Sequence, residues 1–133
     1  MKACILYYSL SGNTKRFAEA ISDALQIPAF NLVISEHSIV EKCDILILGT
    51  PVHGFSPART VLSFLEKLPD GRGKKTIVFC TYIIRKGNAL EKLEKELAKK
   101  GYNVILGISK RGLRLNEEDF SDSIKEISKV IEE

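Results

Sequence analysis

Three short strand-like runs constrain this chain more than anything else in it: the unbroken apolar residues 3–8 and 45–48, and the buried-type residues 76–80, apolar after Thr76. A strand with one wet face alternates polar and apolar side chains, whereas a strand that is apolar throughout has both faces covered. Segments with helical spacing lie between and after these runs. Residues 15–25 carry Phe17, Ala20, Ile21, Ala24 and Leu25 on one stripe. Residues 58–67 follow Pro57, a favoured residue at a helix start, and group Val61, Leu62 and Leu65. Asn88 caps a predicted helix running to Lys99 with Leu90, Leu93 and Leu97 as its stripe, and Gly101 closes it. Asn116 caps a last helix that turns Phe120, Ile124, Ile127 and Ile131 inward. Weaker strands are predicted over 30–34 and from 104–106 onward, and a brief helix over 35–43. The pattern is β-α repeated five times, which predicts a parallel sheet with helices on both faces, an α/β/α sandwich.

A chain of 133 residues fits one domain, 1–133, with a real core. It is 44% apolar and 28% charged, an ordinary globular balance. The formal net charge of +3 comes with no aromatic-basic motif, so no nucleic-acid partner is expected. No apolar run approaches the ~18 residues of a membrane span, so no membrane role is expected. A strand-like run follows Met1 and Lys2 directly, and no leader is expected. Cys4, Cys43 and Cys80 form no C-x-x-C pair. Cys4 and Cys80 read as small buried hydrophobes, with neither a metal site nor a disulfide framework. A reducing cytoplasm is the default location.

In a sheet of this kind ligands bind beyond the carboxyl ends of the strands, so the loops 9–14, 50–57, 82–87 and 109–115 matter most. The first reads Ser9, Leu10, Ser11, Gly12, Asn13, Thr14 and joins a strand to a helix start. Free N–H groups and the positive dipole end of a helix favour an anion, and the hydroxyls add neutral donors. Several phosphate chemistries are excluded. There is no G-x-x-x-x-G-K-[ST] and no G-x-G-x-x-G. No Cys and Arg flank the loop as in a small tyrosine phosphatase, and no aspartates follow strands one and three as in a response regulator.

The run from Ser9 to Thr14 resembles the phosphate loop of the flavodoxin family, S/T-x-S/T-G-N-T at the end of strand one. Residues 44–54, DILILGTPVHG, are similar to that family's third strand and first flavin loop. Residues 76–81 followed by 82–87 stand where its second flavin loop lies. The resemblance covers essentially the whole chain and implies strand order 2-1-3-4-5 and one noncovalent FMN. It also implies roles. Ser9, Ser11, Asn13 and Thr14 match phosphate-binding positions, with backbone N–H groups from Leu10 through Gly12 to Thr14. Thr50 matches a ribityl or loop position, with Pro51 beside it. Val52, His53, Gly54 and Phe55 match the loop over one flavin face and the N5 edge. Thr81, Tyr82 and Ile83 match the loop at the pyrimidine end. At Gly54 a peptide is expected to flip so that its carbonyl accepts a hydrogen bond from reduced N5.

Two departures stand out. There is no Trp, so Phe55 or Tyr82 takes the stacking position or the flavin lies partly open. The four loops contain no carboxylate and carry Arg85, Lys86, Lys110, Arg111 and Arg114, with Lys15 and Arg16 just after the first. Flavodoxins are typically acidic around the flavin. The reversed field predicts a reduction potential less negative than theirs, by about 1 kcal/mol in total given screening. It also predicts an acidic redox partner or an anionic substrate. The leading expectation is an FMN-binding electron carrier, monomeric or weakly dimeric. The rivals are an FMN-dependent NAD(P)H:quinone-type oxidoreductase and a flavodoxin-like binding module without FMN.

Overall fold

The computed structural model describes residues 2–132. Five strands form one parallel sheet: β1 (Ala3–Tyr7), β2 (Ala29–Asn31), β3 (Ile45–His53), β5 (Lys75–Tyr82) and β6 (Asn103–Arg111). A two-residue strand, β4 (Ser56–Pro57), folds back antiparallel on the end of β3. The order is β2-β1-β3-β5-β6, which is the predicted 2-1-3-4-5 once the short β4 is set aside. The order reverses at β1, which has β2 on one side and β3 on the other.

Period-two alternation along the buried strands sorts the core into two layers. Ile5, Ile45, Ile47, Ile77 and Phe79 face the side covered by α1 (Asn13–Leu25) and α4 (Ser121–Glu132), against Phe17, Ile21, Phe120 and Ile127. Leu6, Leu46, Leu48 and Val78 face α2 (Arg59–Glu66) and α3 (Ala89–Lys99), against Val61, Phe64, Leu65, Leu93 and Leu97. An isoleucine layer and a leucine layer thus sandwich the sheet. Each fully buried side chain of this size contributes about 1.5–3 kcal/mol of transfer free energy.

The structure departs from the sequence expectation in identifiable places. The helix predicted from residue 15 begins two residues earlier, and its stripe includes Ala18 while Ala24 is exposed. The strand predicted over 30–34 ends at Asn31. Asn31 Oδ1 accepts the Val33 N–H at 2.9 Å and turns the chain, leaving Val33 and Ile34 exposed. The segment after it forms only a 3-10 turn, His37–Lys42, so the second β-α unit lacks an α-helix. Asn88 makes no side-chain cap. Asn116 instead forms a reciprocal capping box with Asp119 on a 3-10 turn, Glu117–Phe120, that leads into α4. The last strand runs on to Arg111, because an edge strand tolerates Lys110 and Arg111 opposite Thr81 and Tyr82.

The cysteine expectation is corrected. Cys4 on β1 and Cys43 just before β3 form a disulfide, with Cα atoms 6.0 Å apart across 39 residues of chain. Parallel pairing of β1 with β3 brings these positions together, and a spacing rule cannot see that. Lys74 Nζ donates to the Cys43 carbonyl at 2.6 Å and to the Val40 carbonyl, which fixes the Cys43 side of the link. Cys80 is free and buried, and burial pushes its thiol up to about 12. Closing a loop of this length constrains the unfolded chain by roughly 4 kcal/mol in the chain-entropy picture. The urea midpoint is therefore expected to fall on adding a phosphine reductant. Thiol titration of the unfolded, unreduced chain should find Cys80 alone, and identical midpoints with and without reductant would contradict the link.

Candidate functional site

The cleft lies at the carboxyl ends of β1, β3 and β5, beside the strand at which the order reverses. After β1 the chain passes through Ser9, Leu10 and Ser11 to Gly12, the residue before α1. Gly12 has φ +99°, a left-handed conformation in which a side chain is strained. Ser9 Oγ accepts the Gly12 N–H at 3.1 Å and ties the loop across itself. No side chain caps α1 and no acid stands in its first turn. The orphan N–H groups of that turn therefore keep their partial positive charge for a ligand.

The polar side chains at the end of this loop are engaged within the protein. Asn13 is buried. Its Nδ2 donates to the Gly112 and Leu113 carbonyls at 3.0 and 3.1 Å. Its Oδ1 accepts the Leu115 N–H and Arg16 Nη1, each at 3.1 Å. Asn13 thus staples the 112–115 segment onto the phosphate-type loop. The Thr14 and Thr81 hydroxyls pair at 2.7 Å, joining that loop to the end of β5. Thr50 Oγ1 accepts the Ala58 N–H at 3.0 Å and donates to the Pro51 carbonyl at 2.9 Å, which fixes the start of α2.

The segment predicted as a loop over 50–57 is a hairpin. β3 continues through Pro51, Val52 and His53, and Gly54 and Phe55 form a two-residue turn into β4. Both turn residues have positive φ, +55° and +68°, the pattern of a primed turn that matches strand twist. Phe55 pays for this with backbone strain that glycine would not feel, and its ring stands exposed at the cleft. The Asn88 N–H donates to the Phe55 carbonyl at 2.9 Å, so the 82–88 loop buttresses the turn.

The cleft measures about 420 Å³, within the size range of small-molecule and cofactor sites. Leu10, Ser11, Asn13, Pro51, Val52, His53, Gly54, Phe55, Thr81, Tyr82 and Ile83 all line it. Ser9, Gly12, Thr14 and Thr50 do not; they shape its walls through the bonds above. Sequence reasoning left out Ile84, which lines the cleft and is 76% exposed, and the supporting pair Gly87 and Asn88. The signal for Ile84 was available: two adjacent isoleucines in a loop with no core to enter. Leu10 at 67%, Leu113 at 71%, Phe55 and Ile83 are exposed in the same loops. Arg85 lines the cleft as well, and Arg111 is held by a bond from its Nε to the Ile83 carbonyl at 3.1 Å.

The site is therefore an open, largely apolar cleft beside an uncapped helix start, in a doubly wound parallel fold. A family model described as a flavodoxin domain matches residues 4–113. The chain belongs to the flavodoxin domain family. It superposes on oxidised flavodoxin 1 from Bacillus cereus with TM-score 0.82 and 25% identity, covering 99% of this chain and 98% of that one. A flavodoxin from the domain Archaea matches with TM-score 0.80 and 19% identity over the full length of both chains. An uncharacterized protein of Methanocaldococcus jannaschii is 28% identical over 108 residues, 79% of this chain and 71% of that protein. Among the described residues no helix is long and apolar enough to cross a membrane.

Proposed function

We propose that this chain binds one FMN without a covalent bond and carries electrons between partner proteins. The observation that carries the reading is the pairing of an uncapped, acid-free helix start with an apolar cleft at the same end of the sheet. The first suits a phosphate and the second a flat ring system. Backbone N–H groups between Leu10 and Thr14, apart from the Gly12 N–H that Ser9 Oγ accepts, would hold the phosphate, aided by the Ser11 hydroxyl. Pro51, Val52, His53 and Phe55 would line one side of the ring, and Thr81, Tyr82 and Ile83 another. When bound, the flavin supplies the redox chemistry; the protein supplies binding, orientation and electrostatics.

The partner surface is the rim around the cleft. Arg85, Lys86, Arg111 and Arg114 are exposed and Lys110 is half-buried, and no carboxylate occupies the same four loops. Charge complementarity favours an acidic partner protein. Electron transfer from the photoreduced, FMN-loaded protein is expected to slow with added salt when the acceptor is acidic, and to quicken when it is a basic cytochrome. The opposite pair of trends would contradict the assignment of the rim. The carrier reading is tested by mixing the loaded protein with NADH or NADPH. Slow oxidation of both is the expected result, and rapid turnover with a quinone acceptor would make the protein a reductase instead.

A further inference from the structure

Arg16 lies outside the cleft lining, beside the loop that ends at Thr14. It is the fourth residue of α1. Helical side chains lean toward the N-terminus of their helix, so a long chain at this position returns over the cap. The guanidinium lies across Gly12. Its Nη1, Cζ and Nη2 stand 3.4, 3.6 and 3.6 Å from the point a β-carbon on Gly12 would occupy. The planar group therefore occupies the space beside Gly12 into which a side chain there would point. Nη1 donates to Asn13 Oδ1 at 3.1 Å. That oxygen cannot turn away, because the same amide is held through Nδ2 by two carbonyls of the 112–115 segment. The cation is thus positioned rather than free.

It also makes no ion pair among the described residues. Glu19, Asp23 and Glu117 share a groove with Arg16. None pairs with it: the one ion pair among the described residues is Lys99 with Glu96, on α3. The adjacent Lys15 is exposed, and its ammonium makes no hydrogen bond or ion pair among the described residues. Of the two cations at this helix start, Arg16 alone is fixed against the phosphate-type loop.

We infer that Arg16 is a specificity residue: its positioned guanidinium supplies the loop's fixed positive charge, so that this chain selects a flavin bearing a phosphate over one without. The inference rests on the FMN reading. A fixed planar donor suits phosphate oxygens, and charge-assisted hydrogen bonds are about twice as strong as neutral ones. The other donors of the loop are neutral backbone and hydroxyl groups. Discrimination between FMN and riboflavin therefore depends on Arg16 more than on any other side chain of the loop, and that part of the affinity weakens with salt.

The test measures dissociation constants for FMN and for riboflavin, at low and high salt, on the wild-type chain, Arg16→Ala, Arg16→Lys and Lys15→Ala. Arg16→Ala is expected to lose about tenfold in FMN affinity while riboflavin stays within about twofold. Arg16→Lys should recover part of the loss, since it keeps the charge without the planar fork. Lys15→Ala should leave the FMN-to-riboflavin ratio near the wild-type value. Thermal melts of Arg16→Ala should match the wild type, because the side chain is exposed. Equal losses for both ligands, or an unchanged ratio, would overturn the inference while leaving the FMN reading intact. A wild-type chain that binds neither ligand would refute the FMN reading and the inference with it.

Discussion

Asn13→Ala should cost about 3 kcal/mol of stability and release the 112–115 segment from the protein surface. The alanine strands the Leu115 N–H and the Gly112 and Leu113 carbonyls, which all bond to the one buried amide. Each stranded backbone group costs roughly 1–3 kcal/mol where water cannot reach it. Leu115 is buried, so its N–H is the group least able to recover. The check is a urea unfolding curve together with hydrogen exchange of the amides from residue 112 to 116. If Asn13 is a staple, the curve shifts, those amides exchange faster, and FMN and riboflavin lose affinity together. An unshifted curve with a loss confined to FMN would make Asn13 a phosphate ligand instead.

Gly87→Ala should damage the cleft far more than Gly54→Ala, although the two glycines share the same φ of +55°. The backbone strain of a left-handed alanine, about 1 kcal/mol, is common to both. Their surroundings differ. A β-carbon on Gly54 would meet nothing within 4 Å. One on Gly87 would overlap the Phe55 carbonyl oxygen and approach the Phe55 β- and α-carbons. The Phe55 carbonyl is also the acceptor for the Asn88 N–H, so the overlap falls on the joint between the hairpin turn and the 82–88 loop. Relieving such an overlap costs about 1–3 kcal/mol. FMN affinity is expected to fall about 10–100-fold in Gly87→Ala and only a few-fold in Gly54→Ala. Titrations of both variants decide it, and equal affinities would show that the joint does not shape the cleft.

Much of the architecture could be read from the chain because its signals are local. Continuous apolar strands such as residues 45–48 declare a covered sheet, and stripes such as Leu93 and Leu97 declare the helices that cover it. Strand order followed from the resemblance to the flavodoxin family rather than from periodicity. What escaped was set by contacts distant in sequence. The Cys4–Cys43 link depends on β1 lying beside β3. The bonds of Asn13 reach a segment about a hundred residues away, so a residue read as a phosphate donor has its side chain committed elsewhere. Thr14 and Thr50 carry the same lesson: hydroxyls that look free in a loop motif are satisfied by Thr81 and by the start of α2. Asn31 is a different case. Its short-range turn outcompeted a weak strand, and the residue type could have announced it.

The central claim is that the cleft between the Ser9-to-Thr14 loop and the Gly54 turn takes FMN. Titrating the purified, flavin-free chain into FMN tests it most directly, with flavin fluorescence and the visible absorption bands followed together. The account predicts saturable quenching that ends at one chain per flavin, accompanied by a shift of the bands. Fluorescence that stays unchanged at a large excess of protein, with a colourless chain after dialysis, would contradict it.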